Sequence, residues 1–240
     1  MYHSITFNGE VNTWDDWHLI PATRPVFNPP ETKTHYVDIP GANGQIDLTE
    51  SLTGYPVYEN RTGSIEFYVA NGYEDWDVIY SKILSYLHGK THRAYPESES
   101  NGYFYYEGRF EVNKWTSDKW YSKITIDYDV YPYRKEPYSS TESWLWDPFD
   151  FELGIVREYG DLVVDGTLEM TIDGRQEPIV PEITVDSDDG SGMTVKVGST
   201  IYELEDGVNV IPSIVVSDES VTLTFTGNGS VNIEYRGGLL

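Results

Sequence analysis

The sequence predicts a mainly β protein with one helix, organised as two domains that meet near residue 136. Three observations support this: one apolar run with helical spacing, several short alternating segments bounded by turns, and a change in composition late in the chain. A length of 240 residues is sufficient for two ordinary domains. Apolar residues make up 39% of the chain and charged residues 23%, which is typical of a globular protein.

The domain boundary is predicted from charge and aromatic content. Residues 1–136 carry 20 acidic and 12 basic residues, a net charge of 12 − 20 = −8, whereas residues 137–240 carry 20 and 4, a net of −16. All seven tryptophans precede residue 147. Residues 135–141 have the proline and serine content of a linker. We therefore expect domains at 1–136 and 137–240, joined by an exposed connection.

A single amphipathic helix is predicted just before Gly89, which provides a stop signal. Apolar residues recur there at helical spacing: Trp76, Ile79, Tyr80, Ile83 and Leu87. Acidic residues lie at the start (Glu74, Asp75, Asp77) and basic ones toward the end (Lys82, His88, Lys90). This charge order suits the helix dipole.

Strands are predicted for most of the remaining first domain, at residues 64–69, 105–112 and 122–131. In the last of these, Ile124 and Ile126 alternate with polar residues such as Thr125, so that one face is apolar. Residues 21–58 contain six of the thirteen prolines. We expect that stretch to be extended and irregular, running along the outside of a sheet.

The second domain is predicted to consist of short strands only. Met193–Val197 and Thr200–Leu204 flank Gly198 and Ser199, and residues 221–226 and 230–235 flank the sequence Gly-Asn-Gly at 227–229. Both patterns are typical of β-hairpins. Strands of this length with regular turns favour a β-sandwich of jelly-roll type.

Composition argues against several classes of function. The net charge is −24, and no cluster of lysine and arginine is present that could neutralise phosphates, so we expect no specific nucleic-acid binding. The absence of cysteine excludes disulfides and thiolate sites. The N-terminus lacks the pattern of a signal peptide, and no stretch reaches the roughly 20 apolar residues of a membrane span, so we expect no membrane insertion.

No catalytic motif is found, and we predict neither an enzyme nor a cofactor. Asp15 and Asp16 lie between two tryptophans, as in some sugar-cleaving sites. Adjacent strand residues point to opposite faces, however, so a turn with aromatic anchors is the favoured interpretation. Asp127 and Asp129 share a strand face opposite the apolar one, which indicates solvent or a subunit contact.

Two patterns resemble metal sites, but we predict no metal at either. His88 and His92 have i, i+4 spacing, yet Gly89 lies between them and no acidic residue accompanies them. Residues 186–190 (Asp-Ser-Asp-Asp-Gly) resemble a calcium loop, but the twelfth position is Val197 rather than glutamate. A frayed helix end and a solvated turn are the simpler interpretations.

Short motifs occur in a definite order along the first domain: residues 5–9, 12–20, 36–44, 47–49 and 58–61, the helix ending Leu-His-Gly at 87–89, residues 106–110, and the strand running to 132–133. Together they resemble the distal tail proteins of long, non-contractile-tailed phages that infect Gram-positive bacteria. The resemblance implies that residues 1–136 form a ring-forming domain with a β-sandwich or barrel-like fold. Residues 207–212 and 232–236 resemble that family's peripheral galectin-like or carbohydrate-module-like sandwich.

The resemblance implies a structural, non-enzymatic protein at the distal end of the phage tail, assembled in the host cytoplasm and carried in the virion. Six copies would form a ring that joins the tail tube protein to the tail hub, or tail-associated lysin, and to the receptor-binding proteins. Trp14, Trp17 and Arg61 are the residues expected to anchor either the fold or the interface.

A sugar-binding module that attaches a phage or secreted protein to the cell wall is the alternative, and a polysaccharide-cleaving β protein is a third hypothesis. After residue 159 the only aromatic residues are Tyr202, Phe225 and Tyr235. Tyr202 and Tyr235 are the possible glycan contacts, but both lie in predicted strands where they can face the core. The charge of −16 would also repel anionic teichoic acids, so we expect no glycan binding.

Overall fold

The computed structural model describes residues 3–70, 75–99, 102–143, 145–146, 149–188, 190 and 192–240. It is mainly β with one α-helix among these residues, so the predicted fold class is confirmed. The chain divides into two compact units, which we call unit 1 (residues 1–134 with Leu240) and unit 2 (Lys135–Leu239). No helix in the described ranges is long and apolar enough to cross a membrane.

Unit 1 is based on a seven-stranded antiparallel sheet. In chain order its elements are β1 (Ile5–Phe7), β2 (Val11–Asn12), β3 (Leu19–Pro21), β4 (Tyr36–Asp38), β5 (Gln45–Asp47), β6 (Arg61–Val69), α1 (Trp76–Leu87), β7 (Lys90–Pro96), β8 (Tyr106–Ser117) and β9 (Ser122–Val130). The sheet order is β2-β1-β7-β8-β9-β6-β3, and β4 pairs with β5 in a separate hairpin. The predicted strand 64–69 lies within β6, and the predicted strands 105–112 and 122–131 match β8 and β9 except for Tyr105 and Tyr131, which lie just outside them.

One face of the large sheet and α1 enclose the core of unit 1. Along β9 the side chains of Ile124, Ile126, Tyr128 and Val130 are buried, as the alternation predicts. The predicted helix is also confirmed, with its buried residues on one stripe: Ile79, Ile83 and Leu87. Apolar burial on both elements therefore fixes how the helix lies on the sheet.

The charges around α1 agree with the prediction at the start of the helix, where Asp77 lies in the first turn, but not at its end. No basic side chain lies in its last turn. Lys90 lies beyond the helix, where its Nζ donates a hydrogen bond of 2.5 Å to the carbonyl of Ser85. Glu74 falls outside the described residues. The helix is therefore held by its apolar stripe rather than by an optimised charge order.

Unit 2 contains the strands that follow residue 134. They are β10 (Arg134–Lys135), β11 (Leu162–Ile172), β12 (Glu182–Ser187), β13 (Met193–Val197), β14 (Thr200–Leu204), β15 (Gly207–Val210), β16 (Val221–Glu234) and β17 (Gly238–Leu239). The first residue of β10, Arg134, still belongs to unit 1. β10 pairs with β17, and the remaining strands form one sheet centred on β16. The predicted β13–β14 hairpin is confirmed.

The second predicted hairpin in unit 2 is wrong, because β16 runs without a turn through residues 227–229. Along one side it pairs with all of β11; along the other it pairs first with β13 and then with β12. Gly227 and Gly229 have φ values of +148° and +138°. A Cβ on Gly229 would lie 2.2 Å from the carbonyl oxygen of Asp186. Because glycine has no side chain, β16 can lie close to both β13 and β12 at the point where its pairing changes from one to the other.

The predicted exposed linker at residues 135–141 is also wrong. Glu136, Ser139 and Ser140 are buried. The amide of Ser140 donates to the carbonyl of Tyr235 at 2.9 Å, and its hydroxyl donates to the carbonyl of Ile233 at 2.7 Å. The segment is therefore part of the packed structure of unit 2.

Candidate functional site

The most exposed structured segment of unit 1 is the β4–β5 hairpin with its flanks, residues 31–58, which we call the arm. A bridge between Thr32 and Tyr58 closes its base, and the amide of Lys33 donates to the carbonyl of Val57 at 2.8 Å. The arm thus leaves and re-enters unit 1 at one point. The expected irregular run along the outside of a sheet is therefore wrong for residues 31–58, whose strands β4 and β5 pair with each other.

Local hydrogen bonds give the arm its shape. Oδ1 of Asp47 accepts from the amide of Thr49 at 2.9 Å, and the hydrogen bonds from Thr49 lower the pKa of the Asp47 carboxyl. Oγ1 of Thr49 accepts from the amide of His35 at 3.0 Å. Gly41 and Gly44, with φ values of +85° and +76°, lie in the connection between the two strands.

The arm exposes apolar side chains on both faces. Every residue from 31 to 55 except Thr49 is exposed. The exposed large apolar residues are Tyr36, Val37, Ile39, Ile46, Leu48, Leu52 and Tyr55, with Leu52 at 98%. An isolated two-stranded hairpin is marginally stable in water, and an exposed apolar patch is typical of an interaction site. The arm is therefore the best candidate for an assembly surface.

The two tryptophans expected to be anchors have different surroundings. Trp17 is buried in the core of unit 1, with its ring centroid 6.0 Å from that of Phe7 and 5.7 Å from that of Tyr86. Trp14 is half-buried and lies edge-on to His18 at 5.8 Å. These positions favour a fold role for Trp17 and leave part of Trp14 accessible.

The carboxylates between the tryptophans lie in a hydrogen-bonded turn. Oδ2 of Asp16 accepts from the amide of Asn12 at 2.7 Å, and Oδ1 of Asn12 accepts from the amides of Trp14 and Asp15. Asp15 and Asp16 are both exposed. This arrangement explains the Asp-Asp pair by turn geometry and does not place the two carboxylates across a substrate cleft.

Asp127 and Asp129 lie on the outer face of β9, as the alternation predicts. Oδ2 of Asp127 accepts from Nδ2 of Asn113 at 2.6 Å, and Oδ1 of Asp129 accepts from Nδ2 of Asn60 at 2.7 Å. Both carboxylates therefore bind neighbouring amide side chains on the sheet face.

Arg61 is buried in unit 1. Its Nε donates to the carbonyl of Pro132 at 2.6 Å, its Nη1 donates to the carbonyl of Asn28 at 3.1 Å, and its guanidinium lies 5.3 Å from the ring centroid of Tyr106. Burial lowers the pKa of Arg61. These contacts join three separate segments of unit 1, which favours a role in the fold.

Tyr202 and Tyr235, the two possible glycan contacts, are not arranged as a sugar platform. Tyr235 is buried, and its hydroxyl donates to the carbonyl of Asp173 at 2.6 Å. Burial raises the pKa of the Tyr235 hydroxyl. Tyr202 is partly buried against the core of unit 2. Among the described residues of unit 2, the exposed aromatics are instead Trp146, at 71%, and Phe151, at 66%. Both precede residue 159, so they do not belong to the aromatics that the sequence analysis considered as glycan contacts.

The histidine pair does not form a metal site in the described residues, which contain no group of three or more metal-ligating side chains. Nδ1 of His88 accepts from the amide of Val112 at 3.1 Å. His92 is buried and contacts Asn8 and the carbonyl of Tyr86. In the acidic loop at 186–190, Asp189 lies outside the described residues.

Comparisons with known proteins give a structural relative over the full length of the chain. No protein-family model matches the sequence, and no curated protein does. A solved structure that is similar is the crystal structure of SPP1 Dit (gp 19.1), described as a paradigm of hub adsorption apparatus in phages that infect Gram-positive bacteria. The two chains are 12% identical with a TM-score of 0.60, and the match covers 100% of each. The predicted likeness to distal tail proteins is thus confirmed at the level of the fold: over its whole length, this chain has the fold of SPP1 Dit.

Proposed function

We propose that this protein is a structural, non-enzymatic distal tail protein of a phage or prophage of Gram-positive bacteria. In this role six copies form a closed ring at the distal end of the tail. Unit 1 forms the ring and unit 2 lies at its periphery. The ring joins the tail tube protein to the tail hub, or tail-associated lysin, and to the receptor-binding proteins.

The observation that carries this proposal is the full-length match to SPP1 Dit. The match includes both units, whereas a β-sandwich domain by itself recurs with many unrelated functions. A fold shared across two dissimilar units is a more specific similarity than either unit alone. A structural role also fits a site made of exposed apolar surface rather than of converging titratable groups.

The arm supports the ring in particular. A closed ring uses heterologous contacts, in which one surface of a copy binds a different surface of the next copy. The arm, whose base is closed by the bridge between Thr32 and Tyr58, exposes apolar side chains on both faces and is suited to reach a neighbouring copy. Burial of Leu52 and Tyr36 there would stabilise both the arm and the ring.

The first experiment measures the oligomeric mass of the purified full-length chain by native mass spectrometry, with electron microscopy of the particles. We expect a hexamer. Six copies carry 6 × −24 = −144 charges, so we expect assembly to strengthen with moderate salt or magnesium, which screen repulsion. A strict monomer at high protein concentration under every one of these conditions would contradict the proposal.

The second experiment tests the arm. In one variant, residues 34–56 are replaced by a short glycine-serine linker, and in another Leu52 and Tyr36 are both changed to serine. We expect both to fold and to lose the ring. The matched control is Val163→Ser with Ile201→Ser, which changes two exposed apolar residues of unit 2 (73% and 64%). Retention of the ring by the arm variants would exclude the arm from the interface.

A sugar-binding module is the second candidate function, and the exposure of Trp146 and Phe151 favours it, because flat aromatics stack on sugar rings. Titration of the full-length chain with wall polysaccharide, followed by calorimetry, tests it. Saturable micromolar binding that is lost in Trp146→Ala would favour this candidate. We expect no binding tighter than about millimolar, equivalent to roughly 4 kcal/mol.

A further inference from the structure

The connection between β8 and β9 is a rigid turn, residues 117–122, which we call the β8–β9 tip. The amide of Asp118 donates to the carbonyl of Tyr121 at 3.0 Å. Oδ1 of Asp118 accepts from the amides of Trp120 and Tyr121 at 2.7 and 3.0 Å, and these hydrogen bonds lower the pKa of its carboxyl. The backbone of the tip is therefore fixed by its own side chain.

This turn presents aromatic rings to solvent. Trp120 is 81% exposed, more than any other described tryptophan. Tyr121 is 49% exposed, and its ring lies edge-on to that of Tyr68 at 5.9 Å. Tryptophan is enriched among the residues that dominate interface energies, and a preordered backbone lowers the entropy lost on binding. The tip thus has the properties of an interface anchor.

Two exposed lysines lie in or next to the tip of this acidic protein. Residues 114–122 contain Lys114, Lys119 and one acidic residue, a net of 2 − 1 = +1, whereas the whole chain is −24. Lys114 and Lys119 are exposed, and Nζ of Lys119 lies 5.1 Å from the ring centroid of Trp120. Lys123, which follows the tip, forms an ion pair with Glu66 at 2.6 Å. An acidic surface would complement the two exposed lysines.

A second copy of the chain offers such a surface in unit 2. Lys135–Leu239 contains 21 acidic and 5 basic residues. Four of the basic side chains form ion pairs within unit 2: Lys135 with Glu177, Arg157 and Arg175 with Glu136, and Arg236 with Glu142. Apart from these seven residues, the unit has 21 − 3 = 18 acidic residues and Lys196. Its own cations therefore leave most of its negative charge uncompensated.

We propose that the β8–β9 tip of one copy docks on the acidic unit 2 of a neighbouring copy, with Trp120 as the apolar anchor and Lys119 as its charged neighbour. The inference rests on the proposed ring and names a second contact within it. It is a heterologous contact between a cationic and an acidic surface, which orients neighbouring copies in one direction. It also offsets, at one place, the repulsion between highly acidic copies.

Two variants of the full-length chain test the contact: Trp120→Ala and Lys119→Glu. Because both side chains are exposed, we expect each variant to fold, as checked by circular dichroism. The matched controls are made on α1, where Val78 and Lys82 are also exposed: Val78→Ala and Lys82→Glu. We expect the tip variants to weaken ring association by at least about tenfold, and the controls to match the wild type.

Zero-length crosslinking tests whether the surface bound by the tip is unit 2 of a neighbouring copy. A carbodiimide joins lysine amines directly to carboxylates, and a mixture of ¹⁴N- and ¹⁵N-labelled protein identifies links between copies. We expect intermolecular links from Lys114 or Lys119 to acidic residues within 135–239. Links from these lysines only to unit 1, or tip variants that assemble like the wild type, would overturn the inference while the ring stands. A wild-type chain that remains monomeric would contradict the ring and the contact together.

Discussion

Oε1 of Glu136 lies 2.5 Å from Nε of Arg175, and the two side chains are only 2% and 7% exposed. The other carboxylate oxygen pairs with Nη1 of Arg157 and accepts from the amide of Gly237 at 3.0 Å. One glutamate therefore joins three segments at the start, middle and end of unit 2. The sequence alone places this residue at the edge of a linker.

Glu136→Gln is expected to destabilise the protein strongly. The amide would remove the negative charge that faces two buried guanidinium groups, and loss of one partner from a buried ion pair costs about 3–5 kcal/mol. Denaturant unfolding of the full-length chain, followed by fluorescence and circular dichroism, measures the change. Glu142→Gln is the control, because its pair with Arg236 is 46% and 29% exposed and should contribute about 1 kcal/mol or less. Equal effects of the two changes would contradict this interpretation.

His92 is expected to make the stability of unit 1 depend on pH. Its Nε2 lies 3.1 Å from the carbonyl of Tyr86, which needs a donor, and its Nδ1 lies 2.9 Å from Nδ2 of Asn8. Both contacts are satisfied by a neutral ring with its proton on Nε2. Burial lowers the pKa of His92 below its usual value of 6.5.

Because the folded pKa is lowered, the unfolded chain binds this proton first as pH falls. The stabilisation contributed by neutral His92 should therefore be complete above pH 6.5, and the free energy of unfolding should decrease progressively below it. The test compares the melting temperature of the wild type with that of His92→Gln between about pH 7.5 and 5.5. We expect a smaller decrease in the variant, and no such difference for His35→Gln on the exposed arm. Parallel curves for all three proteins would exclude His92 as the cause.

Gly229→Ala is expected to disrupt β16. The added Cβ would lie 2.2 Å from the carbonyl oxygen of Asp186, on a backbone with φ of +138°. The close contact with β12 and the backbone conformation therefore both disfavour alanine. We expect a loss of roughly 3 kcal/mol or more in the free energy of unfolding. Gly198→Ala is the control: it has φ of +58° in open space and should lose about 1–2 kcal/mol. A smaller effect at Gly229 than at Gly198 would contradict the close contact between β16 and β12.

In limited proteolysis, the arm is expected to be cleaved at an earlier time than the junction between the two units. Lys33 lies in an exposed segment and its ion pair with Glu59 is exposed, whereas Lys135 forms an ion pair with Glu177 next to buried residues. Exposed loops are the preferred sites of nicking. Brief trypsin treatment followed by mass spectrometry should therefore detect cleavage after Lys33 first. Early release of a fragment that ends at Lys135 would favour the flexible linker that the composition predicts.

Short-range patterns in the sequence were sufficient for the fold class, the helix and the strands β6, β8, β9, β13 and β14. Helical spacing from Trp76 to Leu87 and alternation along β9 each reflect a single local rule, namely that one face of an element is buried. The Gly-Ser turn between β13 and β14 is local as well. The likeness to distal tail proteins also came from the order of such motifs.

The remaining features depend on residues far apart in the chain, and only the tertiary structure decided them. Gly227 and Gly229 look like a turn locally, but pairing with the earlier strands β12 and β13 keeps β16 extended. Residues 135–141 have the composition of a linker, but the partners of Glu136 come from distant positions. Composition also could not distinguish buried Trp17 from exposed Trp120, because burial is set by the three-dimensional packing around a side chain and not by its residue type.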